Sequence, residues 1–209
     1  MKVCLGGTFD ILHNGHLALL KRGFEIGDYV LIGLTTDKFG MKNRMKINSY
    51  EKRKKVLINA IKKFDKKWKI VPIKDRYGPA IYEELDCIVV SPETKKVADE
   101  INFEREKRGL NKLRIEEINF LLAMDGTPIS SKRIRKGEIE KTGSLKKCKV
   151  IVCSEDKKKQ YATRKVFSKI FGKKVNVIWK NISKTHGKKL NIIDRARVWI
   201  ENSNANFCV

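Results

Sequence analysis

The feature that most limits what this chain can fold into is an alternation of short apolar runs with helical patterns. Val3-Cys4-Leu5, Tyr29-Val30-Leu31-Ile32-Gly33-Leu34, Trp68 to Ile73 and Cys87-Ile88-Val89-Val90 have the length of strands. Most are apolar throughout, as strands covered on both faces have to be. Between them, one helix opens at His13-Asn14-Gly15-His16 and runs through Leu17, Leu19 and Leu20. Another, Tyr50 to Phe64, is capped by Ser49 and places Val56, Leu57, Ala60 and Ile61 on its apolar face. Asp75 to Ala80 predicts a short helix started by a proline, and Ser91-Pro92-Glu93-Thr94 leads into a charged helix that Gly109 stops near Arg108. A fifth strand follows at Leu113-Arg114-Ile115. Strands that alternate with helices pair in parallel, so the expectation is an α/β chain with a doubly wound parallel sheet and helices on both faces.

The exit from the first strand carries the chemistry. Gly6-Gly7-Thr8-Phe9-Asp10 is a tight turn, and the helix after it starts on paired histidines, His13 and His16. A helix N-terminus offers unpaired N–H groups and partial positive charge, and glycines let a polyphosphate approach the backbone. The turn contains neither a lysine-bearing phosphate loop nor Gly-x-Gly-x-x-Gly, so the two commoner phosphate loops are excluded. Thr35-Thr36-Asp37-Lys38-Phe39 leaves the second strand, and the basic loop Lys42-Asn43-Arg44-Met45-Lys46 then faces the same crevice. Past the turn Asp125-Gly126-Thr127-Pro128, the run Ile129-Ser130-Ser131-Lys132-Arg133-Ile134-Arg135 makes a second phosphate-competent helix start, with hydroxyls and guanidinium forks.

The net charge of +23 asks for a polyanion of some kind. Its lysines are spread along every helix and only 8% of residues are aromatic, which favours small polyanions over nucleic acid. No basic leader precedes an apolar run, and none of the runs approaches the ~18 residues of a membrane span, so a soluble cytoplasmic protein is expected. Cys4, Cys87, Cys148, Cys153 and Cys208 form no Cys-x-x-Cys pair and read as buried thiols of a reducing compartment. Composition breaks at Lys141-Thr142-Gly143-Ser144, dividing residues 1–143 from a smaller α/β segment, 144–209. That segment predicts a strand Lys149 to Cys153, a helix Lys157 to Phe171, a strand Val175 to Ile178, a helix Ile192 to Asn202, and a strand begun at Phe207-Cys208-Val209, which makes it read as truncated.

Gly6-Gly7-Thr8-Phe9-Asp10, His13-Asn14-Gly15-His16, Tyr77-Gly78-Pro79, Val89-Val90-Ser91-Pro92-Glu93-Thr94 and Ile129 to Ile139 together resemble the archaeal-type phosphopantetheine adenylyltransferase family of the nucleotidyltransferase superfamily, over residues 1–141. Lys132 departs from the small hydroxyl residue usual there. Residues 145–209 resemble the N-terminal part of the inosine/xanthosine triphosphatase family, through Ser154, Lys159, Ala162, Thr163 and Asp194-Arg195-Ala196-Arg197. Asp156-Lys157 replaces that family's Asn-Pro and its later metal site is absent, which argues against triphosphatase activity.

The first resemblance implies a Rossmann-like nucleotidyltransferase fold and transfer of AMP from ATP, with Mg²⁺, to 4′-phosphopantetheine. It also implies roles. His16 donates to the α-phosphate, while His13 binds the neighbouring phosphates or orders the turn. Gly7 lets the triphosphate approach, Thr8 sits where the two substrates' phosphates meet, and Phe9 supplies a backbone N–H. Lys42, with Lys46 as the alternative, neutralises the acceptor phosphate. Ser130, Ser131 and Arg133 hold the β- and γ-phosphates, and Ser91 and Thr94 line the adenine pocket. Two other readings stand beside this one: a basic nucleic-acid-binding protein on the same scaffold, and a nucleotidyltransferase with another phosphorylated acceptor. The oligomeric state is not legible in the sequence.

Overall fold

The computed structural model describes residues 1–42, 46–152, 156–171, 175–179 and 206–208. They form two compact units, Met1–Leu122 with Pro128–Lys132, and Ala123–Thr127 with Arg133–Val209.

In the first unit the chain order is β1 (Lys2–Gly7), α1 (Asn14–Ile26), β2 (Tyr29–Thr35), α2 (Asp37–Met41), α3 (Tyr50–Ile61), β3 (Lys67–Ile73), a 3₁₀ turn (Gly78–Ile81), β4 (Cys87–Val90), α4 (Lys95–Lys107) and β5 (Arg114–Glu117). The five strands are parallel, in the order β3-β2-β1-β4-β5. The chain winds outward from β1 in one direction and then in the other, so the switch point lies between β1 and β4, where an open α/β sheet has its crevice. β1 pairs with β2 as far as Gly7↔Leu34, whereas its ladder with β4 consists of Val3↔Cys87 and Cys4↔Ile88. The glycines of β1 therefore stand beyond the β4 ladder, at the mouth of that crevice.

Alternate strand residues feed two cores. Val3, Leu5, Val30, Ile32, Leu34 and Val89 pack with Leu19, Leu20 and Phe24 of α1 and Leu57 and Ile61 of α3. On the other face Cys4, Leu31, Ile88 and Val90 pack with Ala80 of the 3₁₀ turn and Ala98 and Ile101 of α4. β3 is an edge strand, and its exposed Lys67 and Lys69 and its Pro72 discourage further pairing.

Three local expectations change. Helix α3 buries the stripe Arg53, Leu57 and Ile61, and Val56 is 41% exposed, because a spacing of four keeps residues 53, 57 and 61 on one face and rotates Val56 off it. The same helix ends at Ile61, and Phe64 lies past its end, stacked on Phe24 at 4.4 Å. The helix expected over Asp75 to Ala80 is a single 3₁₀ turn; Gly78, at φ +58, is left-handed, which an α-helix does not accommodate. Gly109, at φ +70, ends α4 in the way a C-terminal glycine does.

The second unit holds β6 (Cys148–Val152), α6 (Lys157–Phe171), β7 (Val175–Trp179) and β8 (Phe207–Cys208), with the strands parallel in the order β7-β6-β8. Phe167, Phe171 and Phe207 make an aromatic cluster with centroids 5.3–5.8 Å apart. Residues 133–143 belong here, joined by Met124 N–H to the Gly143 carbonyl, Lys146 N–H to the Glu138 carbonyl, and the Ile139↔Leu145 bridge. A short helix, α5 (Ser131–Arg135), runs across the division between the units. The expected helix Ile192 to Asn202, together with Cys153 and Ser154, lies outside the described residues. Among the described residues no helix is long and apolar enough to cross a membrane, and Cys4, Cys87 and Cys148 are free thiols.

The rotation of α3 is testable. Leu57→Ala should cost about 2–5 kcal/mol, as truncation of a fully buried leucine does. Val56→Ala should change stability by less than about 0.5 kcal/mol. Urea unfolding with an unchanged m-value distinguishes them, and equal losses would place Val56 back in the core.

Candidate active site

The turn after β1 is tightly built. Phe9 adopts φ +46 and its ring is buried to 1% exposure, so the chain turns sharply while the side chain is held in the core. A bulky residue in that region costs on the order of 1–3 kcal/mol and persists only where its surroundings over-determine it. Gly7 is required beside it, since a Cβ there would meet the Phe9 ring at 3.1 Å.

His13 is the residue before α1. Its carbonyl accepts from Leu17 N–H at 3.0 Å, and its side chain makes no capping bond, which leaves the helix start open to an anion. The His13 ring instead stacks on His16, with centroids 3.8 Å apart and planes 22° apart, and His16 meets the edge of Phe9 at 5.2 Å. Gly15 makes room for this stack: a Cβ there would lie 3.1 Å from two His13 ring atoms. His13 is 6% exposed and its Nδ1 is buried with no hydrogen-bond partner. Burial lowers its pKa from the ordinary 6.5 to about 4, so the ring is neutral at physiological pH.

Two further segments of the first unit close on this turn. Ser131 donates its hydroxyl to the Ile11 carbonyl at 3.2 Å, with half-buried Ser130 just before it, so α5 starts against the first turn. Helix α2 packs on Thr8 and Thr35 through buried Gly40, where a Cβ would lie 3.6 Å from the Thr8 methyl and 3.0 Å from the Thr35 hydroxyl. Exposed Lys42 follows α2 directly, Lys46 is exposed as well, and Asn43 to Met45 lie outside the described residues.

A residue missing from the sequence-based set joins these pieces. The guanidinium of Arg53, 1% exposed, donates to the Thr8 carbonyl at 2.9 Å, the Asn48 carbonyl at 2.8 Å, the Thr35 hydroxyl at 3.4 Å and the Asp37 carboxylate at 2.7 Å. Asn48 in turn gives its backbone N–H and side-chain amide to buried Asp10, at 2.7 and 2.9 Å. The signal in the sequence was an arginine four residues before Leu57 and eight before Ile61, on the buried stripe of a helix.

Ser91 and Thr94 lie at the carboxyl end of β4, closed on each other by Ser91 N–H to Thr94 Oγ1 at 3.1 Å and Thr94 hydroxyl to the Ser91 carbonyl at 3.2 Å. Thr94 and Gly7 share the lining of a cavity of about 270 Å³ between the carboxyl half of the sheet, the 3₁₀ turn and α4. Gly6, Gly33, Ile73, Tyr77, Val90 and Ile101 make most of its wall apolar, and Arg76, paired with Glu100 at 2.6 and 2.8 Å, contributes charge. Buried Arg105 fixes the wall by donating to the carbonyls of Ala80, Glu83 and Asn111 at 2.7–2.9 Å.

Arg133 belongs to the second unit, where Asp125, Thr127 and Glu138 surround its guanidinium, the last at 3.1 Å. Burial raises the Asp125 pKa, but hydrogen bonds from Arg133 and Thr127 outweigh it and hold the carboxyl below its ordinary value. Among the described residues no group of three His, Cys, Asp or Glu side chains is arranged to hold a metal ion.

The profile of the cytidylyltransferase-like family matches residues 4–137. The chain is 47% identical to a phosphopantetheine adenylyltransferase of Methanosarcina acetivorans over 151 residues, covering 70% of this chain and 96% of that one. It is 46% identical over 147 residues to the protein of the same name from Methanopyrus kandleri, covering 66% and 90%. A bifunctional phosphopantetheine adenylyltransferase/NTP phosphatase of Thermoplasma volcanium is 41% identical over 173 residues, 81% of this chain and 53% of that protein. Among solved structures, a protein of unknown function from Archaeoglobus fulgidus superposes with a TM-score of 0.53 at 33% identity, over 56% of this chain and 89% of that one.

The neutral, buried state of His13 predicts a pH dependence. Between pH 6.5 and about 4 the unfolded chain binds a proton that the folded chain refuses, so this residue lowers stability as pH falls through that window and adds no slope below it. His13→Gln should flatten that part of the curve of stability against pH, measured by urea unfolding at intervals from pH 7 to 4. An unchanged slope would mean that His13 charges freely in the folded protein.

Proposed function

This chain belongs to the cytidylyltransferase-like family and, within it, to the phosphopantetheine adenylyltransferases, and from that premise we propose that it transfers AMP from ATP to 4′-phosphopantetheine. The products are dephospho-coenzyme A and pyrophosphate, and the reaction serves coenzyme A synthesis in the cytoplasm. The observation that carries the reading is the stacked His13–His16 pair at an uncapped helix start, beside the end of β1.

An oxygen of the acceptor's phosphate attacks the α-phosphorus of ATP. The new P–O bond forms as the bond from the α-phosphorus to the bridging oxygen breaks, and pyrophosphate leaves with that electron pair. No side-chain nucleophile takes part, so the protein's work is to position two polyanions and to stabilise charge. His16 donates a ring N–H to the α-phosphate as it becomes five-coordinate. His13, kept neutral, supports that ring from behind without adding a positive charge 3.8 Å away. Gly7 lets the nucleotide approach the backbone, Thr8 supplies a hydroxyl between the two phosphates, and Phe9 supplies a backbone N–H. Lys42 neutralises the attacking phosphate. Ser130, Ser131 and Arg133 bind the β- and γ-phosphates, and Ser91 and Thr94 border the adenine.

Thr94 and Gly7 line the apolar cavity walled by Tyr77 and Ile101, which is therefore the adenine's place in this reading. Nucleotidyltransferases of this family generally use a divalent metal; here it is Mg²⁺, entering with ATP. When bound, the ion would supply charge neutralisation on the phosphates. Residues 1–143 carry this activity, and residues 144–209 are triphosphatase-like in sequence.

The direct experiment is to supply Mg·ATP with a panel of phosphorylated acceptors and follow pyrophosphate. Release with 4′-phosphopantetheine is expected, and release only with another acceptor would redirect the reading. His16→Ala should lower kcat by roughly 10²–10³ with little change in ATP affinity, as loss of a transition-state donor does; a near-normal kcat would remove His16 from the chemistry. A chain ending after Lys147 keeps the Ile139↔Leu145 bridge and should transfer AMP at close to the full rate. Loss of activity in that chain while it stays folded would give the tail a part in the site.

A further inference from the structure

Resting on that functional reading, we infer that Arg53 is a positioning residue that locks the nucleotide-side turn after β1 and the acceptor-side loop after β2 into one geometry. Its guanidinium reaches both at once. On one side it holds the carbonyl of Thr8, the residue whose hydroxyl lies between the reacting phosphates, at 2.9 Å. On the other it holds the Thr35 hydroxyl at 3.4 Å and the Asp37 carboxylate at 2.7 Å, at the end of β2 and the start of the helix that delivers Lys42. Its third arm fixes the Asn48 carbonyl, and Asn48 clamps Asp10 at the far end of the first turn.

Stability does not ask for an arginine at this position. The other two residues of the stripe, Leu57 and Ile61, are fully buried hydrocarbons, and a third would extend the same core. A buried cation costs solvation, and its carboxylate partner, Asp37, is 42% exposed, so the ion pair alone is a poor return. What the fork does that an aliphatic chain cannot is to fix the positions of carbonyl, hydroxyl and carboxylate oxygens on three segments together. The turn it grips contains Phe9 at φ +46, a conformation that relaxes unless its neighbours hold it. Asp37, with its carboxyl held below its ordinary pKa first by the Arg53 hydrogen bond and then by the backbone N–H of Tyr50, stays ionised to keep the second loop in register.

Arg53→Lys keeps the charge and loses the fork. Expected is a drop in kcat of roughly 10- to 100-fold, as for a small misplacement of reacting groups, with KM for each substrate changing by less than about threefold. The decisive readout is coupling. In a Lys42→Ala background the loss from Arg53→Lys should shrink to below about threefold, because residues that act through one another are not additive. Full multiplicative losses overturn the inference, as does a kcat that returns to wild type at a temperature where the variant is fully folded. Should Arg53→Lys fail to unfold cooperatively, Asp37→Asn takes its place: it leaves the guanidinium and should show a smaller loss with the same coupling, and unchanged kinetics would overturn the inference. Wild-type protein run alongside separates the two levels. An active wild type with uncoupled variants sinks this inference alone, and a wild type that makes no dephospho-coenzyme A sinks the functional reading under it.

Discussion

One buried cation ties the candidate site together. Arg53 is 1% exposed and donates to four oxygens on three separate segments. The loop after β1 is also held by Asn48 on Asp10 and by Ser131 on the Ile11 carbonyl, and it contains a strained phenylalanine. Removing an uncompensated charge from water costs several kcal/mol, so such a residue is tolerable only when every arm is occupied. That requirement makes the network cooperative. The same logic holds on the opposite face of the sheet, where buried Arg105 grips three carbonyls and braces the 3₁₀ turn that walls the cavity.

Around these fasteners the parallel sheet decides where a ligand can go. Winding outward from β1 in both directions leaves a crevice at the carboxyl ends of β1 and β4, and glycines at 6, 7 and 33 leave space there that side chains would fill. The helix start of α1 contributes partial positive charge to that crevice. The net charge of +23 acts at longer range, steering polyanionic substrates more than it acts on any one contact. His13 is set by its local environment instead, since burial alone holds the ring neutral.

Much of the fold was legible because parallel strands buried on both faces leave an unambiguous apolar trace. The runs at Tyr29, Trp68 and Cys87 became β2, β3 and β4 within a residue or two, and Ser49 caps α3 through Lys52 N–H. Gly109 stops α4 where a C-terminal glycine was expected. The errors came where periodicity meets a polar residue. Val56 was read as core and Arg53 was left off the apolar face, since hydropathy ranks an arginine below a valine however its donors are satisfied. The 3₁₀ turn at Gly78 was read as a helix because its proline is also a helix-starting signal.

From the sequence alone come the α/β class, the strand order of appearance, the glycine turn and the paired histidines, all local patterns set by chain geometry within a few residues. Tertiary structure alone decided which side chains meet. The stacking of His13 on His16 depends on Gly15 and on the Phe9 ring, and Ser131 reaches Ile11 across 120 positions of chain. The Arg53 network likewise gathers Thr8, Thr35, Asp37 and Asn48 only after β1, β2 and α3 have packed. Hydrogen-bond satisfaction and burial are properties of neighbours in space, and spacing along the chain carries no trace of them until the sheet has brought those neighbours together.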